Sequence, residues 1–193
     1  MSNIGKTFWS KKLTKLGFKH INCDDIIEEK LGPKLKERGY KGIEDVAKWL
    51  GQPNEKQFKE NEAQYLKLEK DTMKEIFKNI NNEKQNIVID TTGSIVHTGN
   101  TILEDLKKHS LVVYLETPEE MKKEMYENFV SHPKPLIWED NYTNDDIANS
   151  YINLLEKRSS LYKEHADLTI PFNQIAEYNL SEKEFLNLIQ ENL

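Results

Sequence analysis

Apolar and polar positions along this chain follow two periods. Over residues 5–16, Phe8, Trp9, Leu13 and Leu16 recur at helical spacing and Gly17 follows, which predicts a helix stopped at the glycine. The same spacing predicts helices over 24–31, ended by Gly32-Pro33, and over 43–50, closed by Gly51-Gln52-Pro53. A long helix is expected over 54–79, with Phe58, Tyr65, Leu66, Met73 and Ile76 as its apolar members. Others are expected over 101–108, over 118–129 with Pro118 in the first turn, over 144–165, and over 181–192, where Glu184 follows the capping Ser181 by three residues. Residues 19–23 and 168–170 read as short strands. Residues 86–90 and 111–115 are short and nearly all apolar, the mark of strands buried on both faces of a parallel sheet. Strands alternating with helices predict an α/β domain spanning 1–193, a parallel sheet flanked by helices in three layers. Residues 131–142, with Pro133, Pro135 and Trp138, read as irregular.

Composition narrows the function classes. A formal net charge of -6, with no basic block, argues against bulk nucleic-acid binding. No apolar stretch approaches about 18 residues, and no secretory signal pattern opens the chain, so a soluble, cytoplasmic, monomeric protein is expected. The lone Cys23 rules out an internal disulfide and a thiolate zinc cluster, which fits a reducing compartment. Arginine occurs only at Arg38 and Arg158, while lysine abounds, as in a chain that has drifted from one cation to the other.

The most informative chemistry stands at the start. Met1-Ser2-Asn3-Ile4-Gly5-Lys6-Thr7 runs straight into a helix and matches the tail of G-x-x-x-x-G-K-[ST]. In such a loop, backbone N–H groups cradle phosphates, the lysine reaches the β/γ oxygens and the threonine hydroxyl binds Mg²⁺. The helix adds its positive end. Ile4, Gly5, Lys6, Thr7 and Phe8 are therefore candidate ATP-binding residues, in a three-layer P-loop NTPase fold. A bare G-K-T tripeptide also arises by chance, so the sites downstream must support the reading.

Downstream of that loop the chain resembles the shikimate kinase family and, more broadly, the nucleoside-monophosphate-kinase-like P-loop kinases. The segment Asn22-Cys23-Asp24-Asp25-Ile26-Ile27-Glu28, then Gly32, is similar to the family's D-x-D followed by a short helix, with Asn22 at the first carboxylate. The resemblance implies that Asp24 grips the acceptor hydroxyl and accepts its proton. Asp24 could equally cap the helix that follows. Glu55 to Glu62 looks like E-x-x-F-R-x-x-E, which implies that Lys59, in place of arginine, pairs with the substrate carboxylate; a solvated charged face is the alternative. Ile87-Val88-Ile89-Asp90-Thr91-Thr92-Gly93-Ser94 stands where the family has a strand and three glycines, and keeps only Gly93 for the acceptor. Asp90 is a candidate Mg²⁺-directing carboxylate or the cap of a turn. His132-Pro133-Lys134-Pro135-Leu136-Ile137 resembles the lid motif R-P-L-L, with Lys134 as the lid cation. Arg158 through Asp167 matches R-x-x-x-Y-x-x-x-A-[DN], which implies that Arg158 binds the acceptor's carboxylate.

The resemblance thus implies ATP-dependent phosphoryl transfer, with Mg²⁺, to a hydroxyl of a small, carboxylate-bearing metabolite. The expected parts are a helical acceptor-binding region at about 24–80, a lid at about 128–143, catalytic Lys6, Asp24 and Lys134, metal-directing Thr7 and Asp90, and acceptor-binding Asp24, Lys59, Gly93 and Arg158. Rival readings are a kinase for another hydroxylated acid, sugar acid or nucleotide, and a non-catalytic nucleotide-binding remnant. The loop's first glycine would fall just before Met1, as would the strand that feeds such a loop. Without that strand, those at 87 and 111 are expected to present unpaired edges or to close a strand-wide gap. Met1 is accordingly expected to be internal to a longer product, preceded by about ten residues of apolar strand.

Overall fold

A computed structural model describes residues 4–80, 82–138, 142–175 and 180–192. In chain order the regular elements are α1 (Lys6–Thr14), β1 (Lys19–Asn22), α2 (Cys23–Glu37), α3 (Ile43–Leu50), α4 (Phe58–Ile80), β2 (Ile87–Asp90), α5 (Asn100–His109), β3 (Val113–Leu115), α6 (Lys122–Ser131), α7 (Ile147–His165), β4 (Leu168–Ile170) and α8 (Glu182–Gln190). Short 3-10 turns occupy Ile95–His97, Glu119–Met121 and Phe172–Gln174.

Three apolar clusters set the layers. Trp9 and Leu13 of α1 and Phe185 of α8 cover one face of the strands, where Val88, Val113, Leu115, Leu168 and Ile170 pack. Trp9 is 1% exposed and stacks on Phe185 at 4.2 Å between ring centroids with the rings 15° from parallel. Met73, Ile76, Phe77, Ile102, Leu103 and Leu106, from α4 and α5, cover the other face. The third cluster joins α2, α3, α4, α6 and α7, with Tyr114 of β3, through residues such as Leu31, Trp49, Phe58, Tyr65, Met125 and Leu154. It is the scaffold of the acceptor-side region and of the segment at 136–138.

The strands are parallel, as the apolar runs predict, but they form two separate pairs. β1 pairs with β2 in the register Ile21↔Ile89, and β3 with β4 in the register Tyr114↔Thr169. Among the described residues no ladder joins the pairs.

Several boundaries differ from the sequence reading for identifiable reasons. α2 does not end at Gly32-Pro33 but runs to Glu37, with Pro33 inside it. Ile27, Leu31 and Leu35, four residues apart and each at most 2% exposed, bury one stripe of this helix and outweigh the hydrogen bond that the proline removes. α4 begins at Phe58 rather than 54, because the Glu55 side chain accepts from the Gln52 N–H and holds a turn there. α7 begins after Asp146, whose carboxylate accepts from the Asn149 N–H as its cap. At α8, Ser181 and Glu184 form the full reciprocal capping box.

Candidate active site

At its N-terminus α1 presents the phosphate-binding candidates. Gly5 precedes it with φ 94°, a left-handed conformation that a glycine adopts without strain. It turns the backbone so that the first N–H groups of α1 face outward from the helix end. Ile4, 1% exposed, anchors this turn in the core below, so its side chain is structural and only its backbone is available to a phosphate. Phe8 is 40% exposed, edge-on to Trp9, and its ring lies 5.0 Å from the Lys12 ammonium. Met1, Ser2 and Asn3, the rest of the motif, lie outside the described residues.

Around this turn the fold gathers charges from distant parts of the chain. The Thr7 hydroxyl donates to Asp90 Oδ2 at 2.5 Å, joining the start of α1 to the end of β2. His20 on β1 brings Nε2 to 3.7 Å from the same oxygen. Burial pulls the Lys6 ammonium below its ordinary value, opposed by the charges of Asp90 and then Asp24. Burial likewise holds Asp24 above the usual carboxylate range, with Lys6 pulling the other way. The charges of Lys134 and Arg158 act on Lys6 as well. Lys6, Asp24, Asp90, Lys134 and Arg158 thus form one electrostatic cluster.

Helix capping settles which carboxylate is available. Asn22 Oδ1 accepts from the Asp24 N–H and is the cap of α2. Asp24 is thereby relieved of the capping role open to it in the sequence, and its carboxylate is left for the site.

Arg158, 3% exposed on α7, is held from two sides. Its Nε donates to His97 Nε2 at 3.1 Å, and its Nη2 donates to the Ile137 carbonyl at 2.9 Å. Ile137 belongs to the predicted lid, of which residues 139–141 lie outside the described residues. Leu136, Ile137 and Trp138 are buried in the helical cluster, so this strap is docked over Arg158. The neighbouring Tyr162 hydroxyl donates to the Gly93 carbonyl and so fixes the loop after β2.

Two predicted positions need revision. Lys59 does not join the cluster: its side chain is 74% exposed, its ammonium pairs with Glu62 at 3.1 Å, and it lies over the Phe58 ring. It stands at the first turn of α4, one residue off the buried stripe, which explains the outward direction. The second concerns the loop after β2 on either side of Gly93. Thr92 and Ser94 are each 3% exposed, and both donate to Oε1 of Glu69, in the Ser94 case at 2.7 Å. Glu69 went unnoticed in the sequence because α4 is rich in charge. Yet it lies four residues after Tyr65 and four before Met73, and a carboxylate on an apolar stripe is the signal that marks it. It is 2% exposed, and burial pushes it up to about 7 against the hydrogen bonds of Thr92 and Ser94 and the charge of Arg158. Oε2 is buried without a hydrogen-bond partner.

The donors fit Mg²⁺ in type. Thr7 Oγ1 and Asp90 Oδ2 are adjacent hard oxygens at the phosphate turn, with a buried and unsatisfied His20 nitrogen beside them. A magnesium ion that keeps waters and phosphate oxygens needs only one or two such protein ligands. The described residues hold no group of three or more metal-type side chains. Nor is any helix among them long and apolar enough to cross a membrane.

Comparison with known proteins bears on this arrangement directly. The family model described as shikimate kinase matches residues 43–190. A solved structure, shikimate kinase from Acinetobacter baumannii in complex with shikimate, is similar over 98% of this chain and 88% of its own, with 27% identity and a TM-score of 0.67. No curated protein sequence matches the chain.

Proposed function

The chain belongs to the shikimate kinase family and is a small-molecule kinase of the P-loop fold; we propose that it moves the γ-phosphoryl group of ATP onto a hydroxyl of a small acid, with Asp24 as the base. The observation that supports this reading most is that the charges of Asp90, Asp24, Lys134 and Arg158 all bear on Lys6 at the phosphate turn, where Thr7 donates to Asp90.

Each residue has a task that its surroundings suit. The N–H groups around Gly5 and the Lys6 ammonium bind the phosphate chain. Lys6 is already desolvated, so its charge acts in a low dielectric where it is worth more than in water. Thr7 and Asp90 would hold Mg²⁺, which when bound neutralises charge on the phosphate oxygens. Asp24 positions the acceptor hydroxyl and takes its proton. Its raised affinity for a proton, caused by burial, makes it a better base than an exposed aspartate. Arg158, aligned by His97 and the Ile137 carbonyl, holds the acceptor's carboxylate. Lys134, on the strap that closes over the site, adds positive charge as the phosphoryl group moves. Phosphoryl transfer requires mainly this positioning and charge neutralisation.

The acceptor is a hydroxylated acid, with shikimate the first to test, since the similar solved structure was determined with it. Thr92, Ser94 and Glu69 give the acceptor side more polar bulk than a run of glycines would, so other small acids belong in the same experiment. Purified protein with ATP, Mg²⁺ and a panel of hydroxy acids, each beside its methyl ester, is followed by ADP release. The expected result is turnover of an acid and a sharply raised KM for its ester. A neutral polyol used as well as any acid would contradict the reading.

A further inference from the structure

The stretch that leaves β2 is held from two helices at once. In an open α/β fold a ligand lies beyond the carboxyl ends of the strands. β2 ends at Asp90, which meets Thr7 of the phosphate turn, so residues 91–97 start from that end beside the phosphate site. Burial alternates along their first part. Thr92 and Ser94 are buried, whereas Gly93 between them is half-buried, which leaves its backbone within reach of a bound molecule.

On the α7 side, Tyr162 donates to the Gly93 carbonyl, and Arg158, one turn earlier on the same helix face, donates to His97 Nε2. On the α4 side the hold is Glu69, whose Oε1 accepts from both the Thr92 and the Ser94 hydroxyl. These two hydroxyls are its hydrogen-bond partners among the described residues, and Oε2 has none. A lone buried carboxylate is costly, and what this one secures is the inward direction of two side chains. One turn further along α4, Met73 Sδ lies 3.9 Å from the thiol of Cys23, the neighbour of Asp24. Contacts therefore run from the start of α2, through α4 and the loop after β2, to Arg158.

We propose that Glu69 is a positioning residue for the acceptor: by drawing the Thr92 and Ser94 hydroxyls onto one oxygen it folds both side chains inward and presents the Gly93 backbone to the acid. The proposal rests on the kinase reading above. Without Glu69 the two hydroxyls would be left buried and unsatisfied, a state that side chains escape by turning toward water. The open side of this stretch is the one at Gly93. Turned that way, Thr92 and Ser94 would stand where the acceptor has to lie, between Asp24 and Arg158. Glu69 thus offsets the presence of two side chains at positions where the shikimate kinase pattern has none.

Steady-state kinetics with an accepted hydroxy acid, beside urea unfolding to confirm the fold, tests this. Glu69→Met keeps the side chain's length, suits the stripe it shares with Tyr65 and Met73, and offers no oxygen. It should raise the acceptor KM about tenfold, the worth of a lost hydrogen bond. The KM for ATP should stay within about twofold, the scatter of uncoupled sites. Glu69→Gln still offers an oxygen and should stay within about threefold of the native acceptor KM. Adding Thr92→Ala and Ser94→Ala to Glu69→Met removes the stranded hydroxyls and should restore the acceptor KM to the same range, a recovery that a purely structural role would not give. Glu69→Leu repeats the first arm should Glu69→Met not fold. The proposal is overturned by an unchanged acceptor KM in Glu69→Met, by equal rises in both KM values, by Glu69→Gln as impaired as Glu69→Met, or by further loss in the triple variant. Any of these with a native protein that turns over an acid defeats this proposal alone. A native protein that phosphorylates no hydroxy acid defeats the kinase reading, and this proposal with it.

Discussion

Replacing Glu69 with glutamine isolates the least expected feature of the site, a carboxyl group sealed under the loop after β2. The amide keeps an oxygen to accept from Thr92 and Ser94 but cannot ionise. In the native protein burial raises this carboxyl from its ordinary 4.5 to about 7. The folded state thus binds a proton more tightly than the unfolded chain. The stability associated with that proton is fully present below about pH 4.5 and is lost as the pH rises through about 7. At about 1.4 kcal/mol per unit, the loss is about 3 kcal/mol for the native protein. Glu69→Gln should remove this component, so its stability relative to the native protein should climb by about that amount between pH 4.5 and pH 8. Urea unfolding of both proteins at several pH values in this range measures the difference, and other titrating groups cancel in it. A constant difference across the range would refute the reasoning, because it would mean that Glu69 stays ionised throughout and is held by Arg158 rather than penalised by burial.

Three further outcomes follow from the geometry. Lys6→Ala should lower phosphoryl transfer by about 10²–10³-fold or more while leaving the unfolding midpoint in place or higher, since a desolvated ammonium is removed; steady-state kinetics with urea unfolding check both halves. Arg158→Ala should raise the acceptor KM by about tenfold to a hundredfold, the worth of a charge-assisted hydrogen bond, with a smaller change in the KM for ATP. Ser181→Ala should cost about 1 kcal/mol in urea unfolding and leave kinetics untouched, because it breaks only the capping box of α8.

Much of this was legible where a short-range rule decides the outcome. The Ser181–Glu184 box, the Gly5 turn into α1 and the apolar strands at 87 and 113 are local signals, and the structure carries each one. The failures came where tertiary packing overrides a local cue. Gly32-Pro33 reads as a stop, but the stripe Ile27, Leu31, Leu35 carries α2 through it. Lys59 fits a charged motif by spacing, yet one residue of rotation from Phe58 sends it to solvent. Glu69 hides among the charges of α4, and only its phase with Tyr65 and Met73 sets it apart. His97 gave no signal, because its role depends on α7 bringing Arg158 to it across the fold. The two separate strand pairs match one of the two arrangements expected for the strands at 87 and 111 when no strand lies between them.

The central claim is that Asp24 serves an acceptor hydroxyl beside a phosphate bound at Lys6. The most direct test incubates the protein with ATP, Mg²⁺ and shikimate or another accepted hydroxy acid, and quantifies phosphorylated acid by phosphorus NMR, in the native protein and in Asp24→Asn. The account predicts a phosphate ester in step with ADP for the native protein, and a fall of about 10²-fold or more in the variant, the typical contribution of a positioned general base. Equal ester formation by the two proteins, or ADP released without any ester, would contradict it.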